Sequence, residues 1–165
     1  MIIYEEILTA FQEEKVKYIL VGGIAVNLLG SLRSTADMDM LVEMSDGNLR
    51  KVVTILKRNG YHVKQPVDPI GIADKETREY WIKQKHMKAF NFYKENEMKE
   101  VDIIIDTPVS FEEAKKDILW IKGGGISIPV ISIDNLIKMK KNTGRNIDKL
   151  DIEELKKIKR LKGVK

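Results

Sequence analysis

Two aspartates one residue apart, Asp37 and Asp39, interrupt the apolar run ADMDMLV at residues 36–42. Read as a strand, this stretch puts both carboxylates on one face and Met38 and Met40 on the other. Like charges on a half-buried sheet face repel each other and resist desolvation, so they need either solvent or a positive partner. A divalent cation with oxygen ligands, Mg²⁺ above all, meets that need. In VDIIID (101–106), Asp102, Ile104 and Asp106 share one face while Val101, Ile103 and Ile105 share the other. If that strand pairs beside the first, Asp102 closes a three-carboxylate site able to hold two Mg²⁺ ions for an in-line phosphoryl-type displacement.

The adjacent glycines Gly22 and Gly23 end the apolar run VKYILV and precede IAVNLLG. Glycines between a strand and a helix let the backbone approach a ligand closely, and the helix start offers free N–H groups to phosphate. Each piece alone has a plain structural reading. The glycines can be only a turn, the D-x-D only an exposed edge, and Asp102 or Asp106 only a solvated acid at a strand end. Together, in this order and spacing, they describe a site for a Mg²⁺-triphosphate.

The elements that must position these groups follow from periodicity and punctuation. Ile7, Leu8 and Phe11 predict a helix over 4–15, and VKYILV (16–21) a strand. IAVNLLG (24–30) predicts a short helix closed by Gly30. Ser45 or Asp46 caps a helix to about Arg58 with Leu49, Val52, Val53 and Leu56 inward. YHV (61–63) is a short strand, and residues 64–74, with Pro66, Pro69 and Gly71, a loop that could gate a cleft. Asp74 can cap a segment at 75–86 of open type. KAFNFYKE and EVDIIID predict two strands turning near Asn96, FEEAKKD a short helix, and ILWIKGGGISIPVIS a hairpin turning at Gly123–Gly125. A capped helix from Ser132 or Asp134 to about Lys141 and an amphipathic helix from Ile147 to Lys162 complete the chain. The fold class is α/β (α+β): a mixed β-sheet with helices mainly on one face and C-terminal helices. A single domain is expected, with its core at about 16–133 and a helical segment at about 134–162.

The 165 residues, 43% hydrophobic and 33% charged, are those of a globular domain able to bury a core. Without cysteine there is no disulfide framework and no thiolate metal site, which suits a cytoplasmic protein. No apolar run approaches a membrane span, and the acidic N-terminus does not read as a signal peptide. The net charge is +4, yet residues 134–165 alone carry eleven Lys/Arg against five Asp/Glu. That surplus could meet a polyanion such as RNA or a triphosphate, or be a solvated lysine face.

Strand, Gly-Gly, short helix, D-x-D strand and a later strand aspartate resemble the nucleotidyltransferase superfamily that includes DNA polymerase beta. GGIAVNLLGSLRSTADMDMLV and IPVISIDNLIKMKKNTGRNIDKLDIEEL are similar to its abortive-infection (AbiEii-type) branch and related small proteins, so the resemblance spans roughly residues 16–158. It implies a nucleotidyltransferase fold and Mg²⁺-dependent transfer of an NMP from an NTP to a hydroxyl acceptor, with pyrophosphate released. RNA or tRNA, a protein, or a small molecule such as an aminoglycoside could be the acceptor. By analogy, a toxin–antitoxin setting is possible, with an antitoxin or a homodimer partner. The alternative is a non-catalytic module of the same fold that binds nucleotide, nucleic acid or protein; the full set of carboxylates argues against it.

The same resemblance implies roles. Gly22 and Gly23 would line the triphosphate. Asp37 and Asp39 would ligate metal, and Asp102 would be the third carboxylate, on the catalytic metal and helping to deprotonate the acceptor. Asp106 competes for that role, with Asp102 preferred as lying deeper from the strand's exit. Lys140 matches a helix lysine that could contact phosphate. Many members carry serine where this chain has Gly23, so a hydroxyl contact to phosphate is lost. Arg33 and Thr35 could touch phosphate or acceptor, or else pair with a nearby acid and satisfy a turn. Arg145, Asp148 and Asp151 read as a structural set. Trp81 and Trp120 read as packing residues, Trp81 with the option of stacking on a base. His62 and His86 receive no role.

Overall fold

The computed structural model describes residues 3–163. In chain order its elements are α1 (Glu5–Glu13), β1 (Tyr18–Val21), α2 (Gly22–Leu29), β2 (Met38–Val42), α3 (Asp46–Arg58), β3 (His62–Val63), α4 (Lys75–Lys83), β4 (Ala89–Lys94), β5 (Lys99–Ile104), α5 (Phe111–Ala114), β6 (Leu119–Gly123), β7 (Ile126–Val130), α6 (Ile133–Lys140) and α7 (Asn146–Leu161). The strands form one seven-stranded mixed sheet in the order β3-β4-β5-β2-β1-β7-β6. β2 runs antiparallel to β1 and parallel to β5, so the two carboxylate-bearing strands are neighbours at the centre.

Alternation along these strands separates a dry face from a polar one. Leu20, Met38, Met40, Phe90, Phe92, Val101 and Ile103 are all fully buried. The register sets Met38 against Val101, Met40 against Ile103 and Phe92 against Val101, making one continuous apolar layer. Each such side chain contributes about 1.5–3 kcal/mol when fully buried. That burial fixes the register, because a slip of one residue would drive the aspartates into the core.

Local signals account for most element ends. Ser45 caps α3, its hydroxyl accepting from the Asn48 amide, and Asp74 caps α4 by accepting from the Thr77 amide. The segment of open type is therefore an α-helix through Lys83. Residues 64–74 are less open than their prolines imply. Pro69–Ala73 form a 3₁₀ turn with Ile72 and Ala73 buried. Buried Arg78 ties this turn down, donating to the Ile72 carbonyl at 2.8 Å and pairing with Asp46 at 3.0 Å. α2 also begins earlier than the glycines imply, at Gly22 itself.

Candidate active site

β1 turns directly into α2. Gly22 makes the turn with φ +67°, a conformation that costs an L side chain roughly 1–2 kcal/mol. The space is closed as well: a Cβ on Gly22 would lie 2.9 Å from both Cβ and Cγ of Asp39 and overlap its carboxylate. Val21 occupies the cap position and offers no side-chain acceptor, so no side chain caps the amides of the first turn of α2. The helix start therefore faces Asp39 with donors to spare.

Asp39 sits where two pairings cross. It opposes Val21 on β1 and Asp102 on β5. Asp37, just before β2, shares its face. One oxygen each from Asp37, Glu100 and Asp102 lies within 4.8 Å of the others. Burial, together with the Asp102 carboxylate beside it, pushes the Asp39 carboxyl up to about 7. Asp37 is also raised, by burial and then by Glu100 and Asp102, with Lys64 working the other way. This crowded, all-oxygen cluster is the hard donor set that Mg²⁺ takes, and a bound cation would relieve its repulsion. The residues present fit that ion.

The structure thus sets Asp39 beside the Gly22 turn and Asp102, while the carboxylates close enough to share one ion are Asp37, Glu100 and Asp102, without Asp39. It sets Asp106 apart: β5 ends at Ile104, and Asp106 is exposed beyond it. Four neighbours escaped the sequence reading. Glu100 was within reach of it, since a period of two from Asp102 places it on the same face. Asn91 donates from Nδ2 to Asp102 Oδ1 at 2.7 Å, and the Gln65 Nε2 donates to Asn91 Oδ1 at 2.7 Å. Lys64 pairs with Glu100 at 2.6 Å, and that hydrogen bond raises the lysine's pKa.

Gly23 explains the missing serine. A Cβ there would lie 2.7 Å from Thr35 Oγ1 and 2.9 Å from Arg33 Nη1. The space a side chain at 23 would take is filled from the 31–36 loop, with a hydroxyl and a guanidinium.

Arg33 and Lys140 belong to one buried ion network. Arg33 pairs with Asp151 at 2.8 Å, while Lys140 pairs with Asp151 at 2.9 Å and Asp148 at 3.3 Å. Arg145 and Thr143 complete Asp148, each at 2.7 Å. Burial works to raise the Asp148 carboxyl, but the bonds from Thr143 and Arg145 with the nearby Lys140 charge outweigh it, and the net shift is downward. Lys140 is only 7% exposed, and its recorded partners are these two carboxylates. Trp120 corrects the sequence reading: it is 63% exposed on the edge strand β6. Trp81 does pack, its ring 5.8 Å from that of Phe90.

The model of the aminoglycoside-2''-adenylyltransferase family matches residues 4–158. The chain belongs to that family. It is accordingly a nucleotidyltransferase. Among curated proteins none matches the chain. Of solved structures, the lincosamide antibiotic adenylyltransferase LnuA, with lincomycin bound, is 23% identical at a TM-score of 0.61, over 92% of this chain and 93% of that one. The antibiotic-resistance factor ANT(2'')-Ia is 15% identical at 0.55, over 98% and 83%. A putative nucleotidyltransferase from Thermotoga maritima is 14% identical at 0.52, over 95% and 86%. At these identities the likeness is one of fold. The family match bears out the superfamily resemblance, and it lies with the aminoglycoside branch; it does not support the abortive-infection branch. Among the described residues no helix is long and apolar enough to cross a membrane.

Proposed function

We propose that this protein transfers a nucleotidyl group, AMP being the family's own, from a Mg²⁺-NTP to a hydroxyl of a small molecule. The observation that carries this reading is the double register of Asp39, against the glycine turn on one side and Asp102 on the other. It sets a phosphate-binding helix start and a carboxylate cluster within one side chain's width.

The uncapped amides of α2 and the bare backbone of Gly22 and Gly23 bind the triphosphate. Thr35 Oγ1 takes the place of the absent serine hydroxyl. Asp37, Asp39 and Asp102 would hold two Mg²⁺ ions, with Glu100 as a further oxygen donor. When bound, the ions neutralise charge that develops on the transferring phosphate and on the leaving group. Asp102, held by Asn91, accepts the proton of the attacking hydroxyl. The acceptor O–Pα bond forms as the Pα–O bond to the β-phosphate breaks, and pyrophosphate leaves with that electron pair. We assign Lys140 a positioning role: through Asp151 it holds Arg33 beside Gly23. Cytoplasm, where NTPs and Mg²⁺ are at hand, is the expected setting.

The family's name and the antibiotic-modifying fold relatives favour a small-molecule acceptor over RNA or protein, and they lend no support to a toxin–antitoxin role. The test is label transfer from α-³²P-ATP with Mg²⁺ to a panel of hydroxylated small molecules, with Asp37→Ala/Asp39→Ala as control. Transfer that the control abolishes is expected. Neither transfer nor Mg²⁺-dependent ATP binding would overturn the reading.

A further inference from the structure

We infer that Tyr4 is a positioning residue of the carboxylate cluster, its hydroxyl holding Asp37 at the spacing from β5 that a small divalent cation needs. This rests on the cation site proposed above and names what sets its choice of ion.

Three carboxylates come within 4.8 Å of one another, and two of them, Glu100 and Asp102, stand two residues apart on β5. The strand itself fixes their spacing. Asp37 is not held in that way. The pairing of β2 with β5 opens at Met38 against Val101, and Ala36 and Asp37 lie before it, outside any strand. Among the described residues, no backbone–backbone bond outside the helices and strands reaches residues 32–37.

The Tyr4 hydroxyl supplies the missing link. It donates to the carbonyl of Ala36, the peptide that leads into Asp37. That proton is shared with the Glu100 carbonyl at 2.9 Å, and the same oxygen accepts the Glu100 amide at 3.1 Å. One hydroxyl thus ties the approach to Asp37 to both backbone groups of Glu100. The rest of Tyr4 is built around this contact. The residue is 2% exposed, and the Lys99 ammonium stands 5.8 Å from the centre of its ring. Its side chain gives α1 no cap bond and goes to the two strands instead. Its backbone sits at φ +67°, a left-handed conformation that a tyrosine keeps only where its surroundings impose it.

Mg²⁺ and Ca²⁺ respond differently to such a brace. Mg²⁺ demands near-octahedral oxygen ligands at short range, whereas Ca²⁺ accepts more ligands in looser geometry. A braced Asp37 favours Mg²⁺, and a loosened one gives that preference up.

The experiment is calorimetric titration of the full chain with Mg²⁺ and with Ca²⁺, each alone, in wild type, Tyr4→Phe and Ile7→Val. Tyr4→Phe keeps the buried ring and deletes only the hydroxyl. Ile7→Val, buried on α1, loosens packing without touching it. Tyr4→Phe is expected to weaken Mg²⁺ binding about tenfold and Ca²⁺ binding less than about threefold. Ile7→Val is expected to lose urea stability with both affinities unchanged. Wild-type affinities in Tyr4→Phe, or a parallel loss for both ions, would overturn the inference alone. A wild type that binds no Mg²⁺ would overturn the cation site and the inference with it. Where Tyr4→Phe shows no cooperative urea transition, hydrogen exchange of the wild type decides. Coupling is reciprocal, so Mg²⁺ is expected to slow exchange of the Glu100 amide, and unchanged exchange refutes the brace.

Discussion

Replacing Gly22 by Ala tests the closest approach in the site. Two costs are built in. The residue sits at φ +67°, where an L side chain costs about 1 kcal/mol or somewhat more. The new methyl would also lie 2.9 Å from Cβ and Cγ of Asp39, on a central strand that cannot retreat. Gly125→Ala separates these costs, because Gly125 has φ +80° and nothing within 4 Å of its Cβ position. Gly125→Ala is expected to lose about 1 kcal/mol, and Gly22→Ala about 3 kcal/mol, the excess being the overlap with Asp39. Urea denaturation of both variants without metal gives the two losses. Calorimetry with Mg²⁺-ATP is expected to show binding lost in Gly22→Ala and retained in Gly125→Ala. If the two variants lose equal stability and both keep Mg²⁺-ATP affinity, the turn does not deliver the triphosphate to Asp39.

Asp39→Asn should stabilise the metal-free protein above neutral pH. Its folded carboxyl titrates at about 7 against 3.8 unfolded, so the protonated form's contribution is full below pH 4 and is lost as pH rises to 7. The wild type should therefore lose on the order of 4 kcal/mol relative to the variant across that window, read as the difference in urea stability without Mg²⁺. Lys140→Met leaves Asp148 and Asp151 buried with fewer partners and is expected to cost about 3 kcal/mol in the same assay. Asp106→Asn should leave transfer rates unchanged, whereas Asp102→Asn should lower kcat about 100-fold or more with little change in nucleotide affinity.

The carboxylate face was legible because a strand repeats every two residues and the core enforces it. Met38, Met40, Val101 and Ile103 cannot leave the dry side, so Asp39 and Asp102 must share the other. Glu100 was legible by the same rule. Asn91 was legible too, since the predicted hairpin turning near Asn96 sets it opposite Asp102; Gln65 and Lys64 were not, because they reach Asn91 and Glu100 only where β3 and the segment after it dock on β4, a pairing no local pattern encodes. Lys140 came from the resemblance as a phosphate contact; that it is buried against Asp148 and Asp151 was not legible, because those partners come from the next helix. Trp120 misled as packing because an apolar hairpin gives no sign of which strand is the edge.

The ion network alters what the basic C-terminal third is for. Its lysine surplus invites a polyanion, yet Lys140, whose charge works to lower the Asp39 pKa, is itself held by two acids. Asp151 on α7 is buried between Arg33 and Lys140, and Arg33 lies over Gly23 from the 31–36 loop. Removing α7 would free Arg33 from Asp151. The distant helix is therefore joined to the proposed phosphate site by a carboxylate and two cations rather than by its surface lysines. This accounts for Gly23 as well: a serine there would compete for space that a residue anchored more than a hundred positions away already occupies.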